Sequence, residues 1–220
     1  MNVDIRYQPA FATIFASLLP GESIIAEAGA MASMSPQLEM KARFNGGFFT
    51  AILRKIFGGE TLFVNEFSCP RETNPGELVL TQSSPGDIAE IDLQGNTLLL
   101  TSGSFIACTP GVKLGLGFAG FASWLGKEGL FRLSVSGHGK VWIGGYGGVL
   151  KQNIQNELVV DTGHLLAYEP TISLSISLSG GIFSSFFSGE GFVSRIRGQG
   201  DIYLQSRSLD GLTSWTNKYL

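Results

Sequence analysis

Apolar and polar residues alternate with a period of two in several short stretches, and glycine or proline residues separate these stretches. Residues 171–179 alternate apolar side chains with serine, which is the pattern of a strand with one buried face. The apolar run 11–19 is followed by the turn pair Pro20-Gly21 and predicts a first strand. Residues 50–57 have apolar positions at helical spacing and predict two helical turns. The pattern as a whole indicates an all-β chain.

Three segments share one internal pattern, in which a glycine is followed seven residues later by a proline, with apolar residues between them. These segments are residues 29–36, 103–110 and 163–170. Each predicts a turn that leads into a short buried strand, which ends where proline removes a backbone donor. Three matches with the same spacing indicate three diverged copies of one unit.

Each copy continues with an apolar strand, a loop rich in glycine and aromatic residues, and a returning strand. The loops contain residues 46–59, 115–126 and 180–189. The second and third copies then share a Gly-x-Gly motif before an apolar-aromatic-apolar triplet, at 137–143 and 198–204. The apolar residues of the loops are the candidate contact residues: Phe48, Phe49, Ile52, Ile56, Phe57, Phe118, Phe121, Trp124, Ile182, Phe183, Phe186 and Phe187.

The repeat predicts the fold class and the domain organisation. A unit of this length is too small to be stable alone, and open sheet edges invite aggregation, so the copies are expected to pack together. We predict an all-β fold with three internally repeated β-sandwich units, short and double-stranded β-helix-like, packed about a pseudo-threefold axis. The single domain 1–220 divides into repeats 1–84, 85–145 and 146–220.

Composition and charge exclude several classes of protein. Thirty glycines and only 15% charged residues favour turns and short strands over helices. A net charge of −3 argues against nucleic acid, because binding to it depends on Lys and Arg neutralising phosphates. Cys69 and Cys108 lie in different segments and are expected to be reduced thiols of a cytoplasmic protein. No clear positive region precedes the apolar run 11–19, so a signal peptide is disfavoured.

The chain resembles the family of proteins related to "altered inheritance of mitochondria" member twenty-four. The residues that carry the resemblance are 21–31 with Ser35-Pro36, the paired glycines before aromatics, and 58–63. It covers essentially the whole chain. It implies a fold similar to the tryptophan RNA-binding attenuation protein, with sandwich units repeated in one chain and assembly into an oligomer. The family offers no catalytic residues to carry over.

The residues themselves give no catalytic site. Residues 115–120 match the dinucleotide pattern GxGxxG, but the other copies lack it and no helices alternate with the strands. His138 and His164 occupy variable turn positions without a suitably spaced partner. Asp87, Glu90 and Asp92 are expected on the solvent face of a strand. We therefore predict a protein that is not an enzyme and that holds no metal and no cofactor.

The favoured function is a homo-oligomeric β scaffold for protein–protein interaction, with a trimer as the expected assembly. The apolar loops are interpreted as its core or its subunit contacts. A second interpretation is an exposed patch that docks on a membrane surface or a protein partner, where Arg54, Lys55 and Lys127 would suit anionic headgroups. An RNA-binding module and a module that holds a small ligand between its units are the alternatives.

Overall fold

The structure is a computed structural model that describes residues 1–43, 64–118, 131–178 and 192–217. Nearly all regular structure in these residues is β-strand, which confirms the predicted all-β class. The first strands are β1 (Asn2–Arg6), β2 (Thr13–Leu18), β3 (Ser23–Glu27), β4 (Met31–Met34), β5 (Glu39–Arg43), β6 (Val64–Ser68) and β7 (Gly76–Thr81). The middle strands are β8 (Gly86–Leu100), β9 (Phe105–Cys108), β10 (Val112–Phe118) and β11 (Phe131–Tyr146). The last elements are β12 (Val149–Ile154), β13 (Glu157–Asp161), a 3₁₀ turn (Thr162–His164), β14 (Leu165–Tyr168), β15 (Ser173–Leu178), β16 (Phe192–Arg197), β17 (Gly200–Gln205) and helix α1 (Leu209–Thr216).

The same order of antiparallel neighbours occurs in all three parts of the chain. In the first part, β2, β7 and β4 are adjacent in one sheet, and β3, β6 and β5 are adjacent in another. In the last part, the corresponding sets are β12, β17 and β14, and β13, β16 and β15. In the middle part, the long strands β8 and β11 pair over most of their length and belong to both sets. β10 pairs with the first half of β11, and β9 pairs with its second half.

The three glycine-to-proline segments form equivalent strands. β4, β9 and β14 each begin two residues after the glycine and end two residues before the proline. In each of them one residue is left out of the register with the neighbouring strand, namely Ala32, Ile106 or Leu166. This unpaired residue is a β-bulge at the same place in all three strands.

The prolines that follow also make equivalent turns. In each turn, the backbone N–H of the residue two positions after the proline donates a hydrogen bond to the carbonyl oxygen of the residue that precedes the proline. The three distances are 3.1, 3.0 and 3.0 Å. The donors are Leu38, Val112 and Ile172, and each is 4% exposed. The sequence pattern therefore corresponds to a repeated strand, bulge and turn that anchor one apolar side chain in the core.

The Gly-x-Gly motifs allow the backbone to pass close to these proline turns. Gly139 and Gly200 have φ angles of 138° and 152°, which L-residues rarely adopt. A Cβ atom on Gly139 would lie 2.1 Å from Oγ1 of Thr109, and one on Gly200 would lie 2.4 Å from Oε2 of Glu169. Thr109 and Glu169 each precede the proline of their segment. The absence of a Cβ atom at Gly139 and Gly200 therefore lets the strand pack against the proline turn.

The core crosses the borders between the three parts of the chain. One apolar cluster includes Ile25 and Val64 of the first part, Val141 of the second and Ala167 of the third. The two other clusters lie mainly at the two ends of the chain. The predicted closure of three units about a pseudo-threefold axis is not confirmed, because the third contact that closure needs is not formed among the described residues.

The described part of the chain holds one α-helix, α1, which the sequence pattern does not predict. Ser208 caps it by accepting a hydrogen bond from the N–H of Gly211 at 3.1 Å. Leu209 and Trp215 are 55% and 58% exposed on this helix. The two helical turns predicted for residues 50–57 lie outside the described residues. No helix in the described ranges combines the length and the apolar character that a transmembrane span requires.

Candidate interaction surfaces

Two seams join successive parts of the chain, and each is a short antiparallel pairing between strands. At the first seam β9 pairs with β3, with Ile25 opposite Cys108 and Ala26 opposite Ala107. At the second seam β14 pairs with β8, with Leu99 opposite Tyr168 and Leu100 opposite Ala167. All four residues of β9 and of β14 are buried. A seam therefore covers the free side of the strand that follows Gly103 and of the strand that follows Gly163.

β4 is equivalent to β9 and β14, yet it forms no such seam among the described residues. It lies at the end of its sheet, with β7 on one side only. Three of its four residues are exposed and the fourth is half-buried, so the predicted burial of this strand is wrong for the first segment. Met31 is 38% exposed, whereas Phe105 and Leu165 at the same place are 2% and 4% exposed.

β13 has the corresponding free side at the other end of the chain. It occupies the place of β3 and of the end of β8, but it pairs only with β16 in the part of the chain described. Val159 on this strand is 50% exposed, whereas Ile25 and Leu99 at the same place are 6% and 7% exposed. Among the described residues, the edges of β4 and β13 are therefore open, and they are of the two kinds that form the internal seams.

The two open edges carry no charged residue and no proline between the ends of their strands, although β4 has the bulge at Ala32. Proteins block exposed edges with charged residues, proline or bulges that turn the edge away. The sequence of β4 is MASM, without a charge or a proline, and the acidic residues of β13 stand only at its two ends. In contrast, the edge strand β5 carries Glu39, Lys41 and Arg43, all exposed. The edge of β5 is blocked by charge, whereas those of β4 and β13 are open to pairing.

A charged cleft of about 330 Å³ lies between β8 of the middle part and β12 and β17 of the last part. Lys151 lies across from Tyr203, and its Nζ is 2.7 Å from Oδ2 of Asp201. Hydrogen bonds from Asn153 and then Lys151 hold the pKa of Asp201 below its usual value. The hydrogen bond to Asp201 raises the pKa of Lys151, while burial raises the pKa of Tyr203. These contacts fasten β12 to β17 and leave the charges paired within the protein.

Glu90 at the rim of the cleft supports a buried tryptophan. Its Oε2 accepts a hydrogen bond from Nε1 of Trp142 at 3.1 Å, and its Oε1 lies 2.5 Å from Nζ of Lys140. Trp142 itself is 0% exposed. The carboxylate therefore satisfies the single polar group of a core residue, a structural role for one of the three acidic residues predicted at the solvent face.

The other groups that could carry chemistry are also accounted for by the fold. Nδ1 of His164 lies 2.7 Å from the carbonyl oxygen of Gln205. Residues 115–118 of the dinucleotide pattern lie in strand β10 rather than in a turn before a helix. Both cysteines are free and buried, and burial raises the pKa of the Cys108 thiol to about 12. Within the described ranges, no group of three or more His, Cys, Asp or Glu residues could hold a metal ion.

The predicted contact residues lie outside the described residues, except Phe118, whose backbone ends β10 opposite Phe131. They therefore stay a prediction. The three undescribed segments 44–63, 119–130 and 179–191 connect β5 to β6, β10 to β11 and β15 to β16. Sequence reasoning missed the edges of β4 and β13. The sequence offers no signal for the edge of β4, because this strand is as uncharged as the buried strands β9 and β14.

The family model for Mitochondrial biogenesis AIM24 matches residues 3–207. The chain belongs to the AIM24 family. An uncharacterised protein from Streptococcus pyogenes serotype M6 is 26% identical over 229 residues, which cover all of this chain and 91% of that protein. An X-ray crystal structure of a Streptococcus pyogenes protein matches with a TM-score of 0.78 and 24% identity, over 100% of this chain and 99% of that one. This second likeness supports the fold alone. The resemblance inferred from the sequence is thereby confirmed at the level of the family.

Proposed function

We propose that this AIM24-family chain is a non-catalytic β scaffold that works by assembling with copies of itself. In this proposal its three parts are diverged copies of one sandwich unit, related by pseudo-symmetry and joined through the β3–β9 and β8–β14 seams. The observation that carries the proposal is the exposure of β4 where β9 and β14 are buried. The edge of β4 is uncharged, and the equivalent edges of β9 and β14 are buried. Pairing with another strand would satisfy its free backbone groups and remove apolar surface from water, which is favourable.

The assembly predicts a molar mass in solution above that of the chain. Light scattering on the purified protein should give a multiple of 23.5 kDa, and three times that mass is the count we expect. Dilution into the nanomolar range separates a specific oligomer from weak association at high concentration. A mass of one chain at micromolar concentration would contradict self-assembly.

We also propose that the three predicted apolar loops let the oligomer dock peripherally on a membrane. The supporting observation is that the three undescribed segments connect equivalent pairs of strands, so pseudo-symmetric units would present them on the same side. The protein should co-float with anionic vesicles and less with neutral ones, because Arg54, Lys55 and Lys127 accompany the apolar residues.

The variant F48S/W124S supplies the test of that docking. It should lose flotation while keeping the mass of the oligomer. Equal flotation of the variant and the parent would assign the binding to another surface, and no flotation of the parent would remove the membrane part of the proposal. The cytoplasm is the compartment we propose, which two free buried thiols support.

The small-ligand alternative has one observation in its favour, the cleft between the middle and last parts of the chain. Its Lys151 and Asp201 form an ion pair with each other, and Glu90 is bound to Trp142 and Lys140. Because these charges already have partners within the protein, the scaffold remains the function that we propose.

A further inference from the structure

The two internal seams use one register. At both of them, the residue two positions before the proline faces a branched apolar residue. The pairs are Cys108 with Ile25 and Tyr168 with Leu99. The preceding residue is alanine in both strands, Ala107 and Ala167. The seam is therefore a defined antiparallel pairing that recurs within the chain.

The same register assigns partners to the two open edges. Met34 of β4 stands at the place of Cys108 and Tyr168, two residues before the proline. Val159 of β13 stands at the place of Ile25 and Leu99, four residues before the glycine that precedes the next short strand. A third seam of this kind would therefore place Val159 opposite Met34, and Val160 opposite Ser33.

That seam is not formed among the residues of the chain that the structure describes. Val159 is 50% exposed and Met31 is 38% exposed, although the equivalent residues at the internal seams are at most 7% exposed. Both strands terminate their sheets, and β4 has no charged residue that would oppose a partner. The free edges are thus matched in strand direction, register and apolar character, but they belong to opposite ends of one molecule.

We infer that β13 of one chain pairs antiparallel with β4 of a second copy, with Val159 opposite the second copy's Met34, so that the internal seam continues from chain to chain. The inference rests on the proposed self-assembly and specifies its contact. The second copy is the occupant because it supplies the complementary edge in the register that the chain already uses twice.

The contact is head-to-tail, since each chain contributes β13 on one side and β4 on the other. Such a contact is heterologous, and it closes into a ring when the rotation between neighbours allows it. Each chain in a closed ring buries both of its open edges. In such a ring, the edges of β4 and β13 are covered in every chain. No edge of either type is then left to pair with further molecules and cause aggregation.

Disulfide cross-linking between variants that each carry one added cysteine tests the pairing. Residues directly opposite each other in antiparallel strands have Cα atoms about 4.5–5.5 Å apart, within the range that a disulfide spans. The variants M34C and V159C are mixed, oxidised and separated on a non-reducing gel. We expect a covalent dimer from the mixture and little from either variant alone. The native thiols contribute little background, because Cys69 and Cys108 are buried.

The matched control pairs V159C with M40C. Met40 is 49% exposed and also lies on an edge strand, but that strand is the charge-blocked β5. This mixture should give at least about tenfold less dimer than the M34C mixture. Equal yields would mean random collision and would overturn the pairing.

A second measurement uses no cysteine. The substitution V159K should convert the oligomer to a single chain in light scattering, because it places an ammonium group in the seam. L150K is its control, since Leu150 is 59% exposed on β12, which takes no part in the seam. Val159 is half exposed in the single chain, so V159K should fold with an unchanged circular dichroism spectrum.

The outcomes separate this inference from the proposed function. An oligomeric protein whose M34C and V159C mixture gives no dimer above the control would overturn the seam and leave self-assembly standing. A double variant M34C/V159C that cross-links only within one chain would also overturn the seam, because the third pairing would then be intramolecular. A single-chain mass for the parent protein would remove both proposals.

Discussion

Replacing Trp142 with alanine is expected to lower the free energy of unfolding by about 3–5 kcal/mol, the usual cost of truncating a buried large aromatic side chain. Trp142 is 0% exposed and packs in the cluster that contains Ile106 and Ile88. Its loss also leaves the carboxylate of Glu90 without the Nε1 donor at 3.1 Å. A loss of this size is a large fraction of the stability of an ordinary domain.

Chemical denaturation followed by circular dichroism measures this effect. The matched control is W215A, because Trp215 is 58% exposed on helix α1 and should cost less than about 1 kcal/mol. Similar losses for the two variants would show that Trp142 is not a principal core residue. If W142A is too unstable to purify, the smaller change W142F should still destabilise more than W215F.

Replacing Gly86 with alanine is expected to destabilise the protein by about 3 kcal/mol, because the backbone leaves no room for a methyl group. A Cβ atom there would lie 1.8 Å from the carbonyl oxygen of Gly145 and 2.8 Å from the backbone nitrogen of Gly147. These neighbours are backbone atoms and cannot rotate away. Gly86 also accepts a hydrogen bond from the N–H of Ala12 at 2.8 Å, so residues of all three parts of the chain meet at this point.

The control for this prediction is G148A, close by in the chain. A Cβ atom on Gly148 would meet no atom closer than Oγ of Ser206 at 3.8 Å. Thermal unfolding should show a large drop in Tm for G86A and a change of a few degrees or less for G148A. A G86A variant as stable as the parent would mean that the meeting point of the three parts can open without cost.

Much of the local structure could be predicted from the sequence, because it depends on residues close together in the chain. The spacing from glycine to proline identified β4, β9 and β14, since a turn residue and a donor-lacking residue bound each strand. Helix α1 escaped prediction because it spans only eight residues and its start signal is the single capping residue Ser208.

The contacts between strands could not be predicted in the same way. β4, β9 and β14 read MASM, FIAC and LLAY, all of them uncharged. Their sequences do not distinguish an edge from an interior strand. Burial differs because β3 lies beside β9 and β8 beside β14, and these neighbours come from a preceding part of the chain. The predicted loop residues remain untested, since they lie outside the described residues apart from the backbone of Phe118.

The seams also bear on how this chain can be dissected. Because β9 completes the layer that β3 begins, and β14 completes the layer that ends in β8, a fragment cut at the boundary of a sequence copy loses a strand its neighbour needs. Under the proposed duplication each unit is one continuous stretch of sequence, whereas each seam pairs strands from two such stretches. Expression of one copy alone would therefore yield an incomplete layer, and truncation mutants of this chain would report on broken sheets rather than on missing modules.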